Sequence, residues 1–366
     1  MTYLSHINLH MLSPMRQKCK KHPTHATKTM HPFQPKTSSI AVIGLKLLAL
    51  LTALTLPVLG AAMELMLEPA RAHCGKAVIA VDAAPAAAAQ RLAGSQAIQG
   101  QQDIAWAWLG SPTARYPHAA LGSRTHAGSL HVLTPVRGAP QGTLQEIVYH
   151  LPINRVFEDL TLRLADINQD GRDEIIVIES DALRGSSVVV LGLSDTTSDT
   201  ASDTTIGKAL IERARSAPTG STFRWLNPVG VADFDGDGKL DIAAVITPHI
   251  GGVLTLYHYR PPQLVPYAKV MDTSNHLMGS PEQQLSVVLH LPGKRPTIIV
   301  PDMSLKALHA LRWEGSGANA KFKELADVMP LKARVQRITV LPDTADTACV
   351  FLADNTWQRV TLKDGL

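Results

Sequence analysis

The chain has 366 residues, of which 45% are hydrophobic and 5% aromatic, a composition typical of a globular protein and unfavourable for a surface that stacks on bases or sugars. Its positive charge is concentrated at the start: residues 1–72 carry eight Lys and Arg against two acids, which leaves 27 basic and 29 acidic residues in 73–366. Because this larger part has no stripe of basic residues to neutralise phosphates, we expect no nucleic-acid partner.

Residues 1–72 have the three parts of a secretory signal. A basic and polar n-region at 1–39 precedes an apolar h-region at 40–60, and Ala70-Arg71-Ala72 fits an A-x-A cleavage site. The pattern predicts export, to the periplasm or outside the cell. The alternative is a membrane anchor at 40–60, because about 20 apolar residues can span a bilayer. Unless the leader is retained, we expect no membrane span in the mature chain.

Cleavage after Ala72 would leave two cysteines in the mature chain, Cys74 near its start and Cys349 near its end. In an oxidising compartment the two could form a disulfide that ties the termini together. The alternative is one buried thiol and one thiol in a disordered segment.

Two segments repeat each other at an offset of 67 residues: 164–178 reads LADINQDGRDEIIVI and 231–245 reads VADFDGDGKLDIAAV. In both copies an apolar, β-branched run follows an acidic loop. A second run follows after a short turn, at 187–191 in the first copy and 253–259 in the second. The pattern predicts strand, loop, strand, turn and strand in each copy.

Weaker copies of this unit flank the pair, at 116–133 and 287–300, and further short strands are predicted at 337–340, 348–352 and 358–362. Units of about 55–65 residues predict an all-β fold, a β-propeller of about five four-stranded blades over 73–366, with six or seven blades as alternatives.

Two further expectations complete this propeller. A strand near 76–81 is expected to pair with the tail strands and so close the ring. The low-complexity stretch 194–205 reads SDTTSDTASDTT and predicts a solvated loop within one blade.

The second acidic loop has the clearest chemical pattern. Asp233, Asp235 and Asp237 take positions 1, 3 and 5, where the side chains of a tight loop point inward together. Gly238 at position 6 allows the sharp turn, and Asp241 at position 9 completes the set. This oxygen-rich pattern predicts a site for Ca²⁺.

The first loop offers the equivalent ligands Asp166, Asn168, Asp170 and Glu174. A backbone carbonyl at Arg172 or at Lys239 would add to the shell in each loop. Because the second loop has four carboxylates and the first has three, we expect one or two structural calcium ions and tighter binding at the second loop.

These loops differ from EF-hands at position 12. An EF-hand needs a bidentate Glu there, whereas this chain has Val177 in one loop and Ala244 in the other. Strand-forming residues follow both loops, so β-loop sites are predicted.

The D-x-[DN]-x-D-G-x-x-[DE] pattern of both loops resembles the FG-GAP or VCBS repeats of integrin-type β-propellers. The resemblance implies a propeller over 100–366 with calcium between the strands of a blade. The longer stretches RVFEDLTLRLAD, RWLNPVGVADFDGDG and TPHIGG also look like those of bacterial exported repeat proteins without an assigned activity. What such proteins bind varies, so the resemblance implies fold and metal rather than partner.

A second group of polar residues follows the first long strand of successive units, and in a propeller these turns would share one face. This possible ligand face consists of His126, Glu179, Asp181, His249, Asn275, His276 and Asp302. The alternative is a set of surface turns with a few hydrogen-bonded histidines.

The sequence lacks G-x-S-x-G, H-E-x-x-H, P-loop and G-x-G-x-x-G motifs. We therefore expect a monomeric, non-catalytic propeller that binds a protein or glycan. The alternative is a propeller-type hydrolase or lyase that acts through His249, His276 and Asp302.

Overall fold

The computed structural model describes residues 64–69, 74, 84–200, 203–341 and 344–363, all within one of the chain's two compact units, Val58–Leu366. The predicted h-region at 40–60 and the strand predicted near 76–81 lie outside these residues.

The described residues form an all-β fold with three sheets, of thirteen, five and four strands, none of which closes on itself. Two short 3₁₀ turns, Ala86–Gln90 and Gly317–Asn319, lie among these described strands. In the described part of the chain, no helix has the length and apolar character needed to cross a bilayer.

The strands follow one another in five groups of mostly antiparallel neighbours. Group one contains β2 (Ile98–Gln99), β3 (Trp106–Thr113), β4 (His126–Pro135) and β5 (Leu144–His150). Group two contains β6 (Arg155–Phe157), β7 (Arg163–Ala165), β8 (Glu174–Asp181), β9 (Gly185–Thr200) and β10 (Asp203–Arg215). Group three contains β11 (Leu226–Ala232), β12 (Asp241–Ile246), β13 (Val253–Arg260) and β14 (Gln263–Met271).

The last two groups form the smaller sheets. Group four contains β15 (Val287–Leu289), β16 (Thr297–Pro301), β17 (Ala307–Glu314), β18 (Lys321–Glu324) and β19 (Met329–Pro330). Group five contains β20 (Val335–Val340), β21 (Thr347–Leu352), β22 (Trp357–Lys363) and, from the other end of the chain, β1 (Glu64–Pro69).

Groups one, two and three make up the thirteen-stranded sheet, but they are joined through single residue pairs. Ala127 of β4 pairs with Phe157 of β6, and Arg215 of β10 pairs with Gln263 of β14. Within a group the pairing is continuous, as in β8 and β9, where eight consecutive residues pair. The groups are therefore the structural units of the fold.

Group five joins the two ends of the described chain. Six residues of β1 pair antiparallel with β22, from Glu64 with Lys363 to Pro69 with Gln358. A disulfide between Cys74 and Cys349 of β21 lies beside this pairing, and both cysteines are buried. Residues 64–69 lie before the predicted cleavage site, so the segment that pairs with the tail differs from the one predicted at 76–81.

The described residues of the low-complexity stretch, 194–200 and 203–205, lie in strands rather than in a loop, contrary to the sequence-based expectation. They extend β9 and β10 into a long hairpin, in which Ser194 pairs with Ala209 and Thr200 pairs with Asp203. An antiparallel hairpin satisfies backbone N–H and C=O groups whatever the side chains are, and β-branched Thr suits a strand.

Burial follows from the apolar runs. All eight residues of β8 are buried, as expected for a run covered on both faces, whereas β5 alternates between exposed and partly buried residues. The largest core cluster packs groups one, two and three together, and a separate cluster packs groups four and five.

Candidate functional site

The second acidic loop connects β11 to β12. The Asp233 carboxylate accepts hydrogen bonds from the N–H groups of Gly236 (2.7 Å), Asp237 (3.1 Å) and Gly238 (3.0 Å). Gly238 has a φ of 84°, a conformation that side chains with a Cβ rarely adopt. Position 6 is therefore a glycine because the loop reverses direction there.

Three carboxylates converge in this loop. Asp233, Asp235 and Asp237 each place one oxygen within 4.8 Å of the other two. A second group of the same kind joins Asp235 and Asp241 to His258 of β13. The loop therefore presents an oxygen-rich cluster that could hold a metal ion.

The Asp241 carboxylate is hydrogen-bonded by two side chains of neighbouring strands. His258 Nδ1 lies 3.1 Å from Asp241 Oδ1, and the Tyr267 hydroxyl donates to Oδ2 at 2.8 Å. Burial raises the pKa of Asp241 to about 6, and the hydrogen bonds from Tyr267 and His258 oppose that shift. These partners fix the carboxylate's orientation, as outer residues commonly do around metal ligands.

A cationic side chain also lies beside this loop, but it is bonded elsewhere. Arg295 passes next to Gly236, where a Cβ would contact its guanidinium, and donates to the carbonyls of Trp313 (3.1 Å) and Gly315 (2.9 Å). Arg295 therefore adds positive charge beside the loop, while its hydrogen bonds go to backbone carbonyls. The donor set fits a hard cation that prefers oxygen, with His258 as a supporting residue.

The first acidic loop connects β7 to β8 and has the same backbone pattern. Asp166 accepts from the N–H groups of Asp170 (2.9 Å) and Gly171 (2.8 Å). The Asn168 amide donates to Asp170 and Glu174, both at 3.1 Å. Its acids do not form a three-carboxylate cluster of the kind found among the described residues of the second loop.

Glu174 is the residue of this first loop that corresponds to Asp241. Burial raises its pKa to about 7; the N–H of Ile167 opposes the shift, and the charges of Asp170 and Asp166 add to it. An ionised Glu174 is thus costly here without a cation. The first loop offers one carboxylate fewer and relies on an amide for its fourth ligand.

The two loops are in contact, and the first is also linked to group one. The Gln169 side chain donates to the carbonyl of Gly238 at 3.2 Å. Asp173, buried beside the first loop, accepts from the N–H groups of Gln101 (3.0 Å) and Gln102 (2.8 Å) in group one. Asp173 thus links group two to group one through hydrogen bonds. That the backbone carbonyls of Arg172 and Lys239 bind the metal at position 7 of each loop stays a prediction.

The structure brings His249 and His276 together from the predicted ligand face. His249 Nε2 lies 2.8 Å from His276 Nδ1, and His276 Nε2 donates to the Ser280 carbonyl at 2.9 Å. Trp225 packs against both rings. Burial lowers the pKa of His249 to about 4 and that of His276 to about 3, so both rings are neutral at pH 7.

The other predicted members of this face have separate partners. Asp302 accepts from the Ser304 hydroxyl (2.6 Å) and from two N–H groups of its own turn. Glu179 and Asp181 pair with Arg155. His126 Nε2 lies 2.9 Å from the His118 carbonyl. The buried Asn275 amide donates to the carbonyl of Asn227 and the hydroxyl of Ser286.

Sequence reasoning missed a buried carboxylate near these histidines. Glu158 is fully buried, accepts from the Ser180 hydroxyl at 2.6 Å and lies 2.6 Å from His118 Nδ1. Trp225 donates its indole N–H to the Glu158 carbonyl. The adjacent acids in RVFEDLTLRLAD, in an otherwise apolar segment, were a usable signal, because buried acids need partners.

Comparison with known proteins adds no assignment. No family model matches the chain, and a search of curated proteins found no match.

Proposed function

We propose that this chain is an exported, calcium-stabilised β-propeller that works as a binding protein. Support for the propeller comes from the five strand groups and from β1, which completes group five from the other end of the chain. Propellers commonly close their ring with a strand from the opposite terminus, because this removes an exposed edge.

The observation that carries the calcium proposal is the convergence of Asp233, Asp235 and Asp237 in the second loop. Like charges this close repel one another, and a divalent ion would turn that repulsion into attraction. Calcium fits better than zinc because all three donors are oxygens. Its role would be structural, since the loop joins two core strands.

The binding role is supported by a cavity of about 570 Å³ between the strands of group five and residues 277–285, the segment that precedes group four. Its lining includes the apolar side chains Leu285, Val335, Phe351 and Trp357, and the Arg337–Glu282 ion pair lies at the same site. Apolar walls with a few polar groups are typical of binding sites. The proposed partner is a protein or glycan that inserts an apolar group here.

The hydrolase or lyase predicted around His249, His276 and Asp302 is less well supported. The Asp302 carboxylate is engaged by its own turn, and both histidines are neutral and hydrogen-bonded to each other. These three side chains therefore do not form a catalytic group of the predicted kind.

A calcium titration of the purified chain from residue 64 onward tests the metal proposal, with thermal unfolding as the readout. Binding restricted to the folded state stabilises it by about 2.7 kcal/mol at a calcium concentration 100 times the Kd. We expect calcium to raise the unfolding midpoint, and Asp233→Ala with Asp237→Ala to remove most of that rise.

The matched control is Asp272→Ala with Asp354→Ala, which removes two acids outside both loops and should leave the calcium effect intact. If calcium does not shift the midpoint of the wild-type chain, the metal proposal is wrong.

For the cavity, Trp357→Ala should abolish capture of a partner from envelope extracts. A partner that binds this variant equally well would place the binding site elsewhere.

A further inference from the structure

Four side chains in group one form a continuous hydrogen-bonded chain, far in sequence from the acidic loops. Glu146 Oε1 lies 2.7 Å from His131 Nδ1, and His131 Nε2 lies 2.8 Å from Ser129 Oγ. The Ser129 hydroxyl donates to Ser111 Oγ at 2.7 Å. Acid, imidazole and hydroxyl thus occur in the order that activates a serine nucleophile.

Strand register explains how these residues meet. Ser129 and His131 are two residues apart on β4, so their side chains share one face. β3 pairs Gly110 with Ser129, and β5 pairs Glu146 with Leu133, which places Glu146 diagonally across from His131.

The neighbours of His131 leave it room and hold its ring. A Cβ at position 110 would collide with the His131 ring, so Gly110 permits the close approach of histidine and serine. Trp108 stacks on the His131 imidazole, with ring centroids 5.4 Å apart. The ring is therefore held by stacking as well as by Glu146.

The chain of hydroxyls ends in a cavity of about 420 Å³ between this strand face and the 3₁₀ turn Ala86–Gln90. Ser129 is fully buried, whereas Ser111 is exposed and lines the cavity. Ser111 also has a φ of 50°, an uncommon backbone conformation for a residue other than glycine. Ser111 is thus the hydroxyl that a bound molecule can reach.

We infer that this cavity is a serine-dependent ester-hydrolysis site, with Ser111 as nucleophile. The two hydroxyls would first rotate, so that Ser111 donates to Ser129 and Ser129 donates to His131 Nε2. Ser111 Oγ would then attack the ester carbonyl carbon while its proton moves to Ser129 Oγ and the Ser129 proton moves to His131 Nε2. Glu146 is a positioning residue that keeps the proton on Nδ1, so Nε2 is free to accept.

The remaining steps return the same protons. Collapse of the tetrahedral intermediate breaks the C–O bond of the leaving alcohol, which takes the proton back from His131 through the relay. Water then attacks the acyl group on Ser111, gives a proton to the relay, and releases the carboxylic acid with Ser111 restored. Water is the single co-reactant.

The lining of the cavity indicates the substrate class. It is formed by alanines of the 3₁₀ turn together with Trp108 and Pro112, and Glu146 is the carboxylate among its described lining residues. Small apolar walls suit a short acyl chain, and the carboxylate disfavours anionic substrates. The site thus fits neutral short-chain esters.

The test uses the purified chain with a fluorophosphonate probe, which modifies activated serines, and with p-nitrophenyl acetate as a neutral ester. Mass spectrometry of the labelled protein should locate the probe on Ser111. Ser111→Ala and Ser111→Gly should both abolish labelling and lower the ester turnover rate at least about 100-fold. The glycine variant also accepts the positive φ, so its loss of activity would not reflect backbone strain.

The chain provides a matched control for the histidine and its acid. His309 Nδ1 lies 3.0 Å from Glu324 Oε2, a pair with the same spacing of 15 residues as His131 and Glu146. His131→Gln should abolish labelling, whereas His309→Gln should not. Glu146→Gln should lower kcat more than it changes KM and should alter the pH profile of labelling, a readout that a merely structural role would not move.

Absence of both labelling and ester turnover in the wild-type chain would overturn the inference. So would a probe attached to another residue, or Ser111→Ala that retains full turnover. The calcium-loop variants Asp233→Ala and Asp237→Ala, assayed below their unfolding temperature, should keep Ser111 reactive. The ester site and the calcium proposal can therefore fail independently.

Discussion

At the scale of single residues, His249 and His276 should make the stability of the fold depend on pH. Burial lowers the pKa of His249 to about 4 and that of His276 to about 3, from an ordinary value of 6.5. Unfolding therefore takes up protons below pH 6.5, and the folded state loses stability as the pH falls from 6.5 towards 4. The expected slope is up to about 1.4 kcal/mol per pH unit for His276, and less for the partly exposed His249.

Thermal unfolding of His249→Gln with His276→Asn at pH 7 and pH 5 measures this slope, which should be smaller than in the wild-type chain. His309→Gln is the control with the opposite sign. The hydrogen bond with Glu324 raises the pKa of His309, so its contribution is present below pH 6.5 and is lost as the pH rises through the raised value. Equal slopes in all three chains would contradict the expected role of burial.

The residues most readily found from the sequence are those whose partners are close in the chain. The candidate metal ligands from Asp233 to Asp241 lie within one loop, so their spacing alone reveals them. His258 and Tyr267, which hold Asp241, come from other strands and depend on register. The same holds for Ser129, His131 and Glu146, which no contiguous motif describes.

At the scale of elements, the two acidic loops should differ in affinity. The first loop has Asn168 where the second has Asp235, and calcium affinity rises with the number of carboxylates. Asn168→Asp should strengthen calcium binding at the first loop by roughly tenfold, about 1.4 kcal/mol. Isothermal titration of the chain with Asp233→Ala, which silences the second loop, measures this. An unchanged or weaker affinity would show that repulsion within the loop dominates.

Strand β1 should also contribute to stability as an element. Its six residues pair with β22, Glu68 forms an ion pair with Arg359, and Leu67 packs against the core of groups four and five. A chain that starts at residue 73 should therefore unfold at a lower temperature than one that starts at residue 64, by about 2–4 °C for each kcal/mol lost. Identical midpoints would mean that cleavage after Ala72 removes nothing of structural value.

The strands themselves were largely predictable, and the exceptions have physical reasons. The runs at 187–191, 253–259 and 348–352 all lie within strands, because apolar β-branched residues between turns have few alternatives. The extension of β9 to Thr200 and of β10 from Asp203 was not predictable, because a polar, low-complexity composition indicates exposure to solvent and says little about strand pairing. Residues 64–69 fall in the predicted leader because Ala70-Arg71-Ala72 after them fits a cleavage site. Their partner strand β22 lies at the far end of the chain, so no local pattern reveals the pairing.

At the scale of the whole molecule, the Cys74–Cys349 disulfide should stabilise the fold. It spans 275 residues of sequence, and a cross-link over so long a loop restricts the unfolded chain strongly. Cys74→Ser with Cys349→Ser should lower the free energy of unfolding by about 2–5 kcal/mol. Denaturant unfolding with and without reductant tests this. The double variant should be insensitive to reductant, and a wild-type chain that is equally insensitive would contradict the prediction.

The pairing of β1 with β22 has a consequence for biogenesis. Group five needs strands from both ends, so its sheet cannot be completed until the last strand has left the ribosome. Contacts of such high sequence separation form late and slow the final folding step. In an exported chain that retains residues 64–69, this delay would keep the polypeptide incompletely folded during transport, and group five would assemble in the compartment where the disulfide can form.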